Sequence, residues 1–227
     1  MNYKHSLIAT IAIVTATVAP AMAQLTNTDF ETPVVGAGSF TTYGTGSTAI
    51  TGWTVVGSDV LLVNTTYGEL GQGITSFAAQ SGVQSIDVTG AGNTSPNNGI
   101  TQSFATTPGQ GYQIGFFVGR AAGGTNYATP STVDLSINGG ARASFTNSNS
   151  TAGAVNWQQF FSTFTATGTT TTVSFLNGTP TTSGGGNNFA GLDNVSIVVV
   201  PEPATALLLA VPLALLGGMA TRRRVVR

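Results

Sequence analysis

Apolar and polar positions alternate with a period of two along much of the chain. Val133, Leu135 and Ile137 alternate with Asp134, Ser136 and Asn138, and Tyr112, Ile114, Phe116 and Val118 keep the same spacing. Val195, Ile197 and Val199 repeat it against Asn194, Ser196 and Val198. Alternation of this kind marks strands with one buried face. Further strands are predicted over 60–63, 84–88, 100–105, 157–166 and 171–176, separated by Gly-, Asn- and Pro-rich turns such as Asn138-Gly139. Between the two ends no stretch sustains the helical period, and no repeat of roughly 20–50 residues points to a propeller or solenoid. Eight or more short strands with these turns predict an all-β fold, an antiparallel β-sandwich.

The two ends break the pattern. Lys4 precedes an apolar run from Leu7 to Val18, followed by Pro20 and Ala21-Met22-Ala23. A charged start, an apolar stretch and an A-x-A site make residues 1–23 a secretory signal peptide, leaving Gln24 as the new N-terminus. At the other end an apolar stretch, 204–220, is closed by Arg222, Arg223, Arg224 and Arg227. As a helix it would be about 26 Å long, at the short limit for crossing a hydrocarbon core. The positive-inside rule keeps the Arg cluster cytoplasmic, so both ends place residues 24–200 outside the inner membrane.

Pro201-Glu202-Pro203, the apolar stretch and the terminal Arg cluster together resemble the PEP-CTERM sorting signal of exopolysaccharide-producing Gram-negative bacteria. The resemblance covers 201–227. It implies that an integral-membrane exosortase cuts near Pro201-Glu202-Pro203 and passes the protein to the cell surface or extracellular matrix, so membrane anchorage is transient. A hydrophobic tail that presents a cleavage site and is then discarded follows the logic of a GPI signal. The competing reading is a plain C-terminal membrane anchor.

Composition narrows the chemistry of 24–200. The chain has no Cys, which excludes disulfides and thiolate metal sites. Its single His, His5, lies in the signal peptide, so a Ser-His-Asp triad and His-bound zinc or haem are excluded from the mature protein. No Lys follows position 4, so there is no P-loop, and no G-x-G-x-x-G stands between a strand and a helix. An organic cofactor therefore has no site to point to. Arg120 and Arg142 face seven acidic residues, a net charge of −5 that speaks against nucleic acid. Asp59, Glu69, Asp87 and Asp134 could formally supply a glycosidase pair, but carboxylates at strand ends more often cap turns. No catalytic residue is assigned.

A second resemblance rests on short segments in fixed order. These are Asn27-Thr28-Asp29-Phe30-Glu31, Trp53 after a Gly, Gly82-Val83-Gln84-Ser85-Ile86-Asp87, Ile100-Thr101-Gln102-Ser103-Phe104, Gly111-Tyr112 and Leu192-Asp193-Asn194-Val195-Ser196. Together they resemble galactose-binding-like jelly rolls, the superfamily of many carbohydrate-binding modules; Thr28, where Gly is frequent, departs from the pattern. The resemblance implies first and last strands side by side and a structural Ca²⁺ between them, held by Glu31 and Asp193 with Asp29 and backbone carbonyls. Only hard oxygen ligands are on offer, which suits that ion.

For a ligand, exposed aromatics matter because a sugar ring stacks on an apolar face. Trp53 and Trp157 stand beside strands and are expected in the core. Tyr67 and Tyr127 lie in Gly- and Thr-rich loops and are expected exposed, with Arg120 near Tyr127, as the ligand contacts. The reading is an exported, non-catalytic, surface- or matrix-associated protein that binds extracellular polysaccharide. Its rivals are a structural or adhesive matrix protein without a defined sugar ligand and, third, a glycoside hydrolase.

Overall fold

The computed structural model describes residues 24–93, 95–124, 126–127, 129–180 and 188–201. Eleven strands lie among them: β1 Phe40–Gly44, β2 Thr54–Val56, β3 Asp59–Asn64, β4 Gln84–Asp87, β5 Gly99–Ala105, β6 Gly111–Ala121, β7 Ser131–Ile137, β8 Ala143–Asn147, β9 Val155–Thr165, β10 Thr170–Asn177 and β11 Ala190–Val199. All pairings between these strands are antiparallel. They build one six-stranded sheet, β1-β3-β4-β11-β6-β9, and one five-stranded sheet, β2-β5-β10-β7-β8. This is the antiparallel sandwich that the alternation predicts.

Each alternating set goes to the space between the sheets. Val60, Leu62, Ile86, Ile114, Phe116, Val118 and Leu192 come from the six-stranded sheet, and Val55, Ile100, Phe104, Val133, Leu135, Val173 and Phe175 from its partner, into one buried cluster. The predicted strands appear as β3 to β7 and β9 to β11, with ends shifted by a few residues. Three strands are new: β1, β2 and β8 all lie at sheet edges. An edge strand is held from one side only, and β1 and β8 keep most side chains in solvent, so they need no apolar alternation.

The N-terminal segment is pinned rather than paired as a strand. Buried Gln84 donates to the Phe30 and Pro33 carbonyls, each at 2.6 Å, and accepts from Val35 N–H at 2.8 Å. Gln102 holds Thr26 by both its N–H and its carbonyl, at 2.7 and 3.1 Å. The implied neighbouring of first and last strands takes another form here. β1 pairs with β3, β11 lies between β4 and β6, and the chain start reaches β11 through Val195 N–H to Thr28 O, 2.9 Å. That contact falls where the β11–β6 register shifts, with Asn194 at φ 48°, the signature of a bulge.

Residues 1–23 and 202–227 lie outside the described residues, and with them the signal peptide, Glu202, Pro203, Arg222, Arg223 and Arg224. Pro201 is exposed at the end of the described chain. Among the described residues no helix is long and apolar enough to cross a membrane.

Candidate functional site

The outer face of the six-stranded sheet is covered in part by its own loops. Strand register aligns Thr42, Leu61, Asp87, Gly191, Gly119 and Trp157 in a row across this face. A side chain at Gly119 or Gly191 would run into the Trp157 ring, with Cβ placed 2.7 Å from it, so both positions stay bare where the indole lies. Segment 65–83 folds back here: Trp157 Nε1 donates to Ala78 O at 2.8 Å, and Phe77 N–H to Tyr67 O at 2.7 Å.

That fold-back, Tyr127 and the 188–189 segment bring aromatic residues together. Tyr67 stacks on Phe77 at 5.5 Å between centroids and meets Phe40 edge-on at 5.0 Å. Phe77 in turn touches Tyr127 at 5.7 Å and Phe189 at 5.0 Å. They form a second apolar cluster, distinct from the sandwich core, that includes Val63 and Ile74. Between this cluster and the 90–92 turn opens a cavity of about 230 Å³, with Phe40, Tyr67, Tyr127 and Phe189 as walls and Glu69, Asp87 and Asn188 as polar groups.

Asp87 ends β4 at the floor of this cavity and is only 4% exposed. Its Oδ1 accepts from Thr89 N–H at 3.0 Å, Thr89 Oγ1 at 2.8 Å and Ala190 N–H at 3.1 Å. The bond to the N–H two residues on is an Asx turn, the cap that a strand-ending Asp before Thr makes. Among the described residues nothing donates to Oδ2, and Asp87 lines the cavity. Burial pushes this carboxyl up to about 7; the Thr89 and Ala190 donors oppose the rise and the nearby Asp59 charge adds to it.

Glu69 accepts from Tyr67 Oη at 3.2 Å, and the same carboxylate faces the Tyr127 hydroxyl. Both phenols are pushed up, first by burial and then by Glu69, so they stay neutral donors at any ordinary pH. The structure thus brings Tyr67 and Tyr127 together, but not as open platforms. Tyr127 is 5% exposed and Tyr67 half-buried, because Phe77 draws both rings onto the sheet. Arg120 does not join them. Strand alternation sends it to the face opposite Ala121 and the aromatic cluster, where Nη1 donates to Ser148 O.

Of the four carboxylates considered for catalysis, Glu69 and Asp87 share the cavity. Asp59 caps the 90–92 turn through Ala91 N–H at 2.8 Å, and Asp134 stands on β7 of the other sheet with Ser144 and Arg142. Trp53 is buried as expected, whereas Trp157 is half-buried on the outer face.

The residues implied for Ca²⁺ are differently engaged. Glu31 Oε1 accepts from Val83 and Gln84 N–H at 2.8 and 3.1 Å. Asp193 takes Gln80 and Ser81 N–H on Oδ2, both at 2.9 Å, and Asn194 N–H on Oδ1 at 2.7 Å, while Asp29 is exposed. N–H hydrogens aimed at the oxygens oppose a cation there, and no cluster of three His, Cys, Asp or Glu side chains stands together among the described residues. Such a donor set does not fit the ion. A melting temperature equal in millimolar calcium and in excess chelator is the expected result, and a rise of several degrees with calcium would show that these N–H donors give way to it.

The pocket residues Phe40, Phe77, Phe189 and Asn188 went unread in the sequence. A usable signal is that Phe77 and Phe189 sit in stretches of Thr, Ser, Gly and Asn, where an apolar ring must find cover. The family model described as "Protein of unknown function (DUF642)" matches residues 23–195. The chain belongs to that family. No curated protein matches this DUF642 chain. Among solved structures it is similar to an exo-beta-1,3-galactanase from Phanerochaete chrysosporium bound to beta-1,3-galactotriose, at 16% identity and TM-score 0.39, over 72% of this chain and 30% of the enzyme. The DUF642 chain thus spans under a third of that enzyme's length. It is also similar to a xylan-binding domain from Paenibacillus barcinonensis, at 18% identity and TM-score 0.41 over 74% of this chain and 99% of that one. A family 35 carbohydrate binding module from an environmental isolate is similar at 14% identity and TM-score 0.39, over 63% and 98%. The ligands named there belong to those proteins.

Proposed function

We propose that this protein is an exported, non-catalytic carbohydrate-binding protein whose site is the aromatic-walled pocket on the outer face of the six-stranded sheet. The observation that carries the reading is the pairing of ring walls, Phe40, Tyr67 and Tyr127, with hydrogen-bonding groups on Asp87, Glu69 and Asn188 in one cavity. Apolar ring faces next to fixed polar atoms are what a sugar presents and requires. About 230 Å³ is below the ~300–1,000 Å³ of drug-sized sites, so the pocket suits one sugar ring, a chain end or branch, rather than a length of polymer. The acidic balance of 24–200 disfavours polyuronates, which would be repelled over a Debye length of ~8 Å.

Calorimetry against soluble neutral glycans tests this. Tyr67→Ala is expected to weaken binding about tenfold, a loss of ~1.4 kcal/mol, and Tyr127→Phe, which keeps the ring and removes the hydroxyl, to weaken it less. Equal affinity in wild type and both variants would remove the pocket as the site. Release of reducing sugar from any bound glycan would replace the reading by that of a hydrolase using Glu69 and Asp87. Export and sorting are part of the proposal, supported by the signal at 1–23 and by Pro201-Glu202-Pro203 with its apolar and Arg-rich tail. Peptides covering 213–222 should be missing from surface-exposed protein of the native host; their recovery there would leave a plain anchor.

A further inference from the structure

Among the described residues the lining of the pocket contains two carboxylates, Glu69 and Asp87, and no basic side chain. A third carboxylate, Asp59, adds its charge to Asp87 from β3. Both basic residues of 24–200 are held elsewhere, Arg142 against Pro96 O, Asn97 and Asp134, and Arg120 at Ser148 O. Asp87 lines the cavity and is 4% exposed, and among the described residues its hydrogen bonds all fall on Oδ1, none on Oδ2. A buried carboxylate with one oxygen unpaired and no countercharge is costly in charged form, and a neutral hydroxyl returns only one hydrogen bond for it. An ammonium returns charge and three donors, and ring faces such as those of Tyr67 and Tyr127 attract the same cation.

We infer that the pocket recognises a primary ammonium group carried on a sugar ring, so that its preferred ligand is a 2-amino-2-deoxy sugar at a chain end or branch. This rests on the carbohydrate-binding reading and deepens it. Asp87 Oδ2 and the Glu69 carboxylate receive the ammonium, and the aromatic walls hold the ring. N-acetylation removes the charge and one donor, so it removes the preference. The titratable groups at the site are Asp87 and Glu69 in its lining, Asp59 adding its charge to Asp87, and the amine itself, the phenols of Tyr67 and Tyr127 staying neutral. With the Asp87 carboxyl pushed up to about 7, binding of an ammonium below that pH expels its proton and affinity falls by up to about tenfold per pH unit; above neutrality the 2-amino group, a weak base, loses its own proton, so affinity peaks near pH 7.

The test is calorimetry on the full-length protein at pH 5 and 7 with three β-1,4-linked tetramers, of glucosamine, N-acetylglucosamine and glucose. The glucosamine tetramer is expected to bind at least tenfold tighter than the N-acetylated one at pH 7, and less tightly at pH 5. Asp87→Asn should abolish that pH dependence and most of the preference, and Glu69→Gln should reduce the preference, whereas Asp29→Asn, an exposed carboxylate outside the pocket, should leave it intact. Equal binding of the glucosamine and N-acetylglucosamine tetramers overturns the inference and leaves the carbohydrate reading standing. A preference that survives both Asp87→Asn and Glu69→Gln overturns it as well. If none of the three tetramers, nor any neutral glycan, binds, both readings fall together.

Discussion

Replacing Trp53 with alanine is expected to destabilise the protein by about 3–5 kcal/mol, the usual range for removing a fully buried large aromatic. The indole is 1% exposed. It lies 5.5 Å from the ring of Phe30 in the N-terminal segment and 6.1 Å from Phe175 on β10, so it joins the chain start to the five-stranded sheet. Its Nε1 donates to Asn27 O at 3.1 Å, in the loop whose turn Asn27 closes by accepting from Thr32 N–H. Truncation therefore opens a cavity between three elements and frees the segment that carries Phe30 and Glu31. With domains stable by only ~5–15 kcal/mol, a loss of this size lowers the melting temperature by roughly 6–20 °C. Trp53→Phe should cost less than half as much, since a ring still fills the space. Urea unfolding followed by circular dichroism checks this; a Trp53→Ala midpoint within error of wild type would mean that the core closes without the indole. Trp157→Ala, whose ring is half-buried outside the sandwich, should be the milder loss.

The contrast between the two tryptophans shows what a sequence of this kind reveals. Alternation reports a face that is buried against another sheet, so the central strands β6, β7, β10 and β11 were readable from Ile114, Leu135, Val173 and their neighbours. It is silent on edge strands, where β1 and β8 carry mostly exposed residues, and on β2, which has only three. The short motifs that resemble a jelly roll turn out to serve its closure. Phe30 and Trp53 fill the core, Gln84 and Gln102 tie down the chain start, and Asp193 caps the 80–81 turn from the β11 bulge. The pocket was half legible. Tyr67 and Tyr127 were found as aromatics in polar loops, but their meeting depends on Phe77, Phe189 and a fold-back that has no periodic signal. Asp87 is legible as a carboxylate, while its burial and its third donor follow from tertiary packing, because β11, which supplies Ala190, is 103 residues away in sequence.

The protein is expected to lose stability as pH rises from about 5 to 8, opposite to the usual behaviour of a domain whose carboxylates are salt-bridged. Asp87 and Asp193 are both buried, and burial pushes each carboxyl up to about 7 against the N–H donors that oppose it. The folded state therefore holds these protons more tightly than the unfolded chain, in which a carboxyl titrates near ~3.9. Their contribution is fully present below that value and is lost as pH rises toward and through 7, by up to about 4 kcal/mol for each group. On the scale of ~2–4 °C per kcal/mol, the melting temperature at pH 5 should exceed that at pH 8 by roughly 8 °C or more. Two variants separate the sites. Asn at position 87 can keep the Thr89 and Ala190 bonds on Oδ1 and carries no charge, so Asp87→Asn should flatten part of the slope and gain stability at pH 8. Asp193 accepts N–H bonds on both oxygens, so Asp193→Asn must set an NH₂ against a donor and should lose stability at every pH. Melting temperatures that stay level or climb between pH 5 and 8 would show that the two carboxylates remain ionised in the fold, stabilised by those donors alone. An ammonium ligand should restore stability at pH 8 in wild type and not in Asp87→Asn, since the charge uncovered at Asp87 by rising pH is the one such a ligand would neutralise.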